Sequence, residues 1–498
     1  MPENKPANSP QGAFRERAMI ATLLFVLAII PILLTPIPPV TDLPQHIAQA
    51  RLFKETLANP DGPYIIQWLA PNNLIYVFLL VFWTVLPLGL ITRAALIVIV
   101  LLWLAAIHGL GAVRSRAPAT VAIVSLLIFN QSFYWGFLNF LIGFPVFILW
   151  FVLTTRDPEK TSWKLIGALA VTSFFLYESH ALWFAAGAAW LILIALVKKA
   201  SVKTALWRFA ALVPCGLIAF SWYPDLSAFR AMAGFDTAPH WSPLFDRLAS
   251  FLDAAFGGIR GPVETIVFVF LLLWAGLSIW QNRTRLKDGT DRDLLAAALF
   301  FLAIVIVSPD KYMNTIFFSS RWFPAAMVFL LLALPAPSFR RASPKVIALA
   351  VALLFSLITA FAWRSFETRD LSGFRGSLAR IQDSSRVLGL DLGKESEHIK
   401  GRPFLQLFAY AQVFKGGELN FSFAEHYSGL VAYKAKRDVR WTAGLEWHGE
   451  KVKRTDFAFF DFVLVNGEEK DHQILGRFPE LSPLTHLGKW RLYEVKKP

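Results

Sequence analysis

The chain has 498 residues, 55% of them hydrophobic and 17% charged, with a formal net charge of +14 and a single cysteine, Cys215. An ordinary soluble domain carries about 25% charged residues, so this composition points to lipid as the main solvent, and one cysteine excludes an intramolecular disulfide. The positive charge does not indicate nucleic acid, because the basic residues before Trp363 fall in short clusters between apolar runs, without zinc-ligand spacing or a recognition-helix pattern.

The polar, basic N-terminus MPENKPANSPQGAFRERAM precedes an apolar run of about twenty residues, longer than the core of a typical cleaved signal. It reads as a retained first helix over 18–37, with the N-terminus cytoplasmic. Further apolar segments fall near 73–91, 94–112, 118–131, 138–155, 163–178, 181–197, 205–222, 263–281, 293–308, 322–335 and 344–362. Several are long enough to cross about 30 Å of hydrocarbon as helices. Basic clusters mark the cytoplasmic side: Arg15 and Arg17; Arg114 and Arg116; Arg156, Lys160 and Lys164; Lys198, Lys199, Lys203 and Arg208; Arg283, Arg285 and Lys287; Arg340, Arg341 and Lys345. Two full crossings between Leu74 and Ala112 would put Arg114 and Arg116 on the wrong side. Part of 73–112 is therefore expected to be a juxtamembrane or re-entrant helix, which gives eleven crossings; thirteen is the other count the pattern allows.

After Trp363 the pattern changes, and 40 of the 84 Asp, Glu, Lys and Arg residues lie in this last quarter of the chain. FAFFDFVLVNG and WRLYEV alternate like strands, and Leu371 to Val387 has the spacing of an opening helix. The expected fold is an all-α polytopic membrane bundle over 1–363, of about 11–13 transmembrane helices, followed by a small extracytoplasmic α/β domain over 364–498. No internal repeat of 20–50 residues is present.

The first outer loop, PPVTDLPQHIAQARLFKETL, places Asp42 and His46 four residues apart, on one face of a helix that starts at Asp42 or Leu43. Thr41 or Asp42 could equally serve only as its N-cap. Glu178 and His180, in FFLYESHALWF, sit between strongly apolar segments where ionisable groups need a partner or a polar cavity; a solvated tight turn is the alternative. In YWGFLNFLIGFP the aromatic residues suit interfacial anchoring, while Asn139 could line a sugar or lipid cavity. Lys311 and Arg321, in SPDKYMNTIFFSSRW, border an apolar helix on the outer side. Asp310 could neutralise Lys311, and Arg321 could simply snorkel. His46, His180 and His240 are metal-ligand candidates by residue type, without a fixed ligand spacing.

An acidic residue in the first outer loop followed by an amphipathic juxtamembrane helix resembles the multispanning glycosyltransferases of the GT-C class. TDLPQHIAQARLF is similar to the D-x-P-x-H form of bacterial members, and YWGFLNFLIGFP and SHALWF resemble their later motifs. The chain departs from relatives with an adjacent acidic pair, since Leu43 follows Asp42, and has APNNLIYVF where many show a His-Pro-Pro-Leu-Tyr-Tyr type run. The resemblance implies transfer of a sugar from a polyprenyl-phosphate-linked donor to a lipid or glycan acceptor at the outer face of a bacterial inner membrane. Asp42 would be general base, with His46, Asn139, Glu178, His180, Lys311 and Arg321 binding substrate. It leaves room for a divalent metal, Mg or Mn. A secondary transporter, an O-antigen ligase or polymerase, and a scaffold are the competing classes.

Overall fold

The computed structural model describes residues 10–156, 161–234, 236–284, 286–427, 429–486 and 488–497. Lys160, Arg285, the side chain of Lys287 and the N-terminal stretch 1–9, all used above as topology markers, lie outside the described residues.

The helices follow the apolar segments in chain order. They are α1 (Pro10–Leu34), α2 (Leu43–Ala58), α3 (Leu74–Val85), α4 (Leu88–Val113), α5 (Pro118–Val124), α6 (Gln131–Trp135), α7 (Leu138–Thr155), α8 (Trp163–Ser179), α9 (Ala181–Val197), α10 (Val202–Ala210) and α11 (Val213–Ala233). Short helices α12 (Leu244–Ala249) and α13 (Phe251–Ala255) precede α14 (Val263–Asn282), α15 (Leu286–Gly289), α16 (Arg292–Val307), α17 (Phe323–Ala333) and α18 (Pro344–Ser365). By length and composition five of the described helices can span a membrane, or six if the bent pair α10 and α11, with its 58° angle, is one span. The chain forms a multi-pass membrane bundle.

Contacts at the helix ends show how the shorter helices run. At one end of the bundle Arg17 donates to the Arg116 carbonyl (2.9 Å), Arg116 to the Leu334 carbonyl (2.7 Å) and Arg208 to the Thr154 carbonyl (3.1 Å). Asp293 pairs there with Arg114 (3.2 Å) and Lys198 (2.5 Å). The opposite end holds Asp42 and the polar loops. Helix α3, with 12 residues, starts beside Asn139, which accepts its Ile75 N–H (3.1 Å), and ends with Trp83 under Lys54 of α2, 5.9 Å from the ring centroid. It stays at the polar end, whereas the 26-residue α4 carries the chain back to Arg114. The expected non-crossing segment is thus α3. Among the described residues the chain passes between the two ends in α1, α4, the 118–135 segment, α7, α8, α9, α10 with α11, α14, α16, α17 and α18.

Packing centres on α7, whose backbone carbonyls accept indole N–H groups: Trp183 to Phe140 (2.7 Å) and Trp103 to Leu141 (2.6 Å). A buried indole keeps its large apolar surface without leaving a polar atom unpaired. Gly143 is required at this contact, since a Cβ there would lie 1.9 Å from Trp183.

Helix α18 runs directly into a π-helical turn at Phe366–Asp370, and the tail then builds α19 (Phe374–Arg380), α20 (Ala409–Lys415) and α21 (Glu469–Leu475). A five-stranded mixed sheet takes the order β3-β2-β5-β7-β6, from β2 (Arg386–Asp391), β3 (Glu418–Leu419), β5 (Phe462–Asn466), β6 (Leu481–Pro483) and β7 (Trp490–Val495). The β2–β5 pair is parallel, with Val387 opposite Phe462, and β7 closes antiparallel on β5. The expected helix to Val387 is shorter than its periodicity suggested: polar residues follow Ile381, Ser384 takes a positive φ of 60°, and Arg386 and Val387 enter β2. Likewise only Phe462–Asn466 of the aromatic run is strand, because residues Arg454–Phe459 coil into a 3-10 segment.

The tail does not stand apart from the bundle. Strand β1 (Tyr64–Ile66), in the loop after α2, pairs antiparallel with β4 (Val431–Tyr433) of the tail. Helix α2 carries Gln45 and Gln49 one turn apart; Gln45 bonds Gln406 (3.0 Å) and the Phe423 N–H (3.1 Å), while Gln49 accepts from the Val431 N–H (2.8 Å). These buried amides bind the loop to the tail through donors and acceptors that would otherwise be orphaned.

Candidate active site

Asp42 stands at the N-cap of α2 with αR backbone angles, and its carboxylate makes no capping hydrogen bond. The cap alternative is therefore not what holds the side chain. The backbone is held instead by the YWG turn: the Thr41 N–H donates to the Tyr134 carbonyl (2.9 Å) and the Asp42 N–H to the Trp135 carbonyl (3.0 Å). Gly136 makes this approach possible. Its φ is +80°, a region that disfavours side chains, and a Cβ there would lie 2.8 Å from the Asp42 nitrogen. The motif that looked like interfacial anchoring is a backbone cradle for Asp42.

The Asp42 side chain opens into a cavity of about 500 Å³ at the junction of bundle, loops and tail. His46, Asn139, His180, Lys311 and Arg321 line it as well, so six of the seven predicted site residues converge. Glu178 does not line it; this residue is half-buried near the end of α8. His46 Nδ1 meets the Tyr76 hydroxyl (3.0 Å), the ring bonds the Gly136 carbonyl, and burial lowers its pKa to about 4, so it is neutral at pH 7. His180 accepts from the Leu182 N–H (3.1 Å), capping α9, while its ring meets Phe140 edge-on. Asn139 caps α3 from across the site by accepting the Ile75 N–H (3.1 Å).

Arg321 is buried at 4% exposure and does not snorkel. It donates to the carbonyls of Phe317 (3.0 Å) and Ile316 (2.5 Å) and lies over the rings of Phe137 and Phe140, at 4.5 and 5.2 Å from their centroids. Lys311 pairs with Asp236 (3.0 Å) rather than with Asp310, whose carboxylate is taken by Arg247 and Ser319. Burial pushes the Asp42 carboxyl from 3.8 up to about 8, with Arg321 pulling it back down. A carboxyl titrating near neutral pH beside a fixed cation can accept a proton during chemistry and return it afterwards.

Several lining residues were not singled out in the sequence. Asn72 and Tyr76 belong to APNNLIYVF, noted only as a departure from the family pattern; the Asn72 amide accepts the Ala181 N–H (3.1 Å) and so ties this segment to the α8–α9 turn. Arg230 comes from α11 and bonds the Met313 carbonyl. The tail supplies Gln406, Phe421, Phe423, His426, Glu446 and Trp447. No local motif announces these; their place depends on α2 and the tail docking together. His240 is outside the lining and pairs with Asp236 (2.8 Å). Among the described residues no group of three or more His, Cys, Asp and Glu is arranged to hold a metal ion. A divalent cation would need oxygens from bound substrate to complete its coordination.

The fold and this cavity define a polytopic membrane bundle with a tail built into the site. Over nearly its whole length the chain is similar to the crystal structure of ArnT from Cupriavidus metallidurans bound to undecaprenyl phosphate, with a TM-score of 0.54, 11% identity, and 97% of this chain and 98% of that chain covered. The apo state of the same ArnT gives a TM-score of 0.52 and 12% identity, covering 96% and 97%. At this identity the likeness is one of fold. No family model and no curated protein sequence matches the chain.

Proposed function

We propose that this protein is a membrane glycosyltransferase that takes a sugar from a polyprenyl-phosphate-linked donor and transfers it to a hydroxyl of a cell-envelope lipid or glycan, at the outer face of a bacterial inner membrane. One observation carries the reading: an uncapped, half-buried carboxylate and a buried guanidinium face the same cavity. The fold shared with a protein crystallised with undecaprenyl phosphate supports the donor class.

In the proposed reaction the acceptor oxygen attacks the anomeric carbon as the bond from that carbon to the phosphate oxygen breaks. Asp42 takes the proton from the attacking hydroxyl, and the polyprenyl phosphate leaves with the bonding electrons. Arg321 faces the charge that develops on it, a preorganised arrangement worth most in a dry site. Lys311 and Arg230 extend the cationic wall, while His46, neutral and bonded on both sides, holds the Gly136 turn. His180 and Asn139 complete the lining, with His180 and Arg321 both against the Phe140 ring. Single displacement on one carbon inverts its configuration. In this orientation the basic end of the bundle is cytoplasmic and residues 364–498 form an extracytoplasmic domain.

The test is binding and turnover by purified protein in lipid nanodiscs. Wild-type protein binds undecaprenyl phosphate and transfers a radiolabelled sugar from the glycosylated form of that lipid, and Arg321→Gln loses both at unchanged folded amount. Retention of full binding and turnover by Arg321→Gln would overturn the assignment of this cavity. A secondary transporter would instead show uptake of a soluble solute and no covalent product.

A further inference from the structure

The proposed reaction uses the cationic wall and Asp42, but leaves one acidic group of the cavity without a role. Glu446, on the tail, lines the cavity with Trp447 and Trp135. The groups that act on its carboxyl are its own backbone N–H and, repulsively, Glu425; burial is the largest influence and pushes it up to about 7. Among the described residues its carboxyl forms no ion pair, and it reaches the cavity.

Its surroundings are built rather than incidental. Trp447 stacks on Trp135 at 6.5 Å and 27°, and Arg402 lies over its ring, 5.7 Å from the centroid. Arg402 is in turn fixed by an ion pair of 3.1 Å with the fully buried Asp391 at the C-terminal end of β2, while its carbonyl accepts from Thr41, next to Asp42. The two indoles are thus held by the same loop that presents the base.

A carboxylate here repels a phosphate, whereas the cations Arg230, Lys311 and Arg321 in the same lining attract one. What suits Glu446 is a ligand that brings several hydroxyl donors together with apolar C–H faces: hydroxyls donate to the two carboxylate oxygens, and the C–H face lies against indole. We infer that Glu446 binds hydroxyl groups of the sugar carried on the lipid phosphate, making the C-terminal tail a determinant of which sugar is accepted. This rests on the glycosyltransferase reading above.

The experiment compares the affinity of wild-type, Glu446→Gln and Glu446→Ala protein in nanodiscs for sugar-free undecaprenyl phosphate and for undecaprenyl phosphate carrying glucose, galactose, mannose or arabinose. Wild-type protein is expected to bind at least one glycosylated lipid about 10-fold or more tightly than the sugar-free lipid, the scale of one charge-assisted contact. Both variants are expected to lose that preference, with sugar-free binding unchanged, which also reports that they fold. Variants that keep the preference overturn the inference while leaving the proposed function standing, and so do variants that lose both ligands alike. Wild-type protein that binds the sugar-free lipid but prefers no glycosylated one also removes Glu446 from the site. Failure of wild-type protein to bind any of these lipids overturns the donor assignment itself.

Discussion

Replacing Asp42 by Asn separates chemistry from architecture at this site. The amide keeps the size of the side chain and, as no capping bond is lost, leaves the start of α2 intact. It removes the oxygen that would accept the proton, and loss of a general base typically costs about 10² to 10⁴ in rate, equivalent to roughly 3 to 5 kcal/mol of transition-state stabilisation. Stability should move the other way. The folded-state value of about 8 lies above the ordinary 3.8, so the native protein favours protonated Asp42, and its contribution to stability falls as pH rises from about 4 to about 8. Asn carries no charge to bury, so the variant escapes a cost that reaches on the order of 5 kcal/mol above pH 8. The assay is sugar transfer at matched folded amounts, with melting temperatures measured at pH 5 and pH 8. Turnover should collapse while undecaprenyl phosphate binding persists, and the melting temperature of the variant should exceed that of wild type more at pH 8 than at pH 5. Near-wild-type turnover would refute the assignment of Asp42 as base, and a lower melting temperature at both values would return it to a structural role.

Wild-type turnover should rise with pH through about 8, since the base must be ionised to act and burial holds its carboxyl near that value; a flat profile between pH 6 and pH 9 would separate Asp42 from the rate. Gly136→Ala should lower turnover about 100-fold, because a Cβ 2.8 Å from the Asp42 nitrogen forces the base away and a shift near 1 Å is enough for such a loss; unchanged turnover would show that the cradle does not position it. Reporter fusions at Pro498 should be active only as extracytoplasmic reporters, because the tail lies at the end of the bundle opposite Arg17 and Arg116. A fusion active only as a cytoplasmic reporter would reverse the orientation.

Much of the bundle was legible in the sequence because its solvent is lipid: a run of apolar residues must become a helix there, since no water is available to satisfy the backbone. The segments read over 138–155 and 181–197 match α7 and α9. Basic clusters also indicated that part of 73–112 does not cross, without saying which part, because lysine and arginine are costly on the wrong side. Asp42 stood out through its spacing to His46 and the resemblance of its loop to the GT-C class, and Arg321 as a cation bordering an apolar helix. What the sequence left open was which groups share a cavity. Asp310 follows from adjacency as the partner of Lys311, but folding brings Asp236 instead, from 75 residues away. YWG carries no chemical side chain that points to Asp42; its part is played by two carbonyls and a missing Cβ. Glu446 and Trp447 reach the site only because β4 pairs with β1 and Gln45 and Gln49 seat α2 against the tail. Such contacts depend on the meeting of distant backbone groups, which leave no periodic trace in composition, so the membrane bundle was determined locally by hydrophobicity and charge, and the cavity by tertiary packing alone.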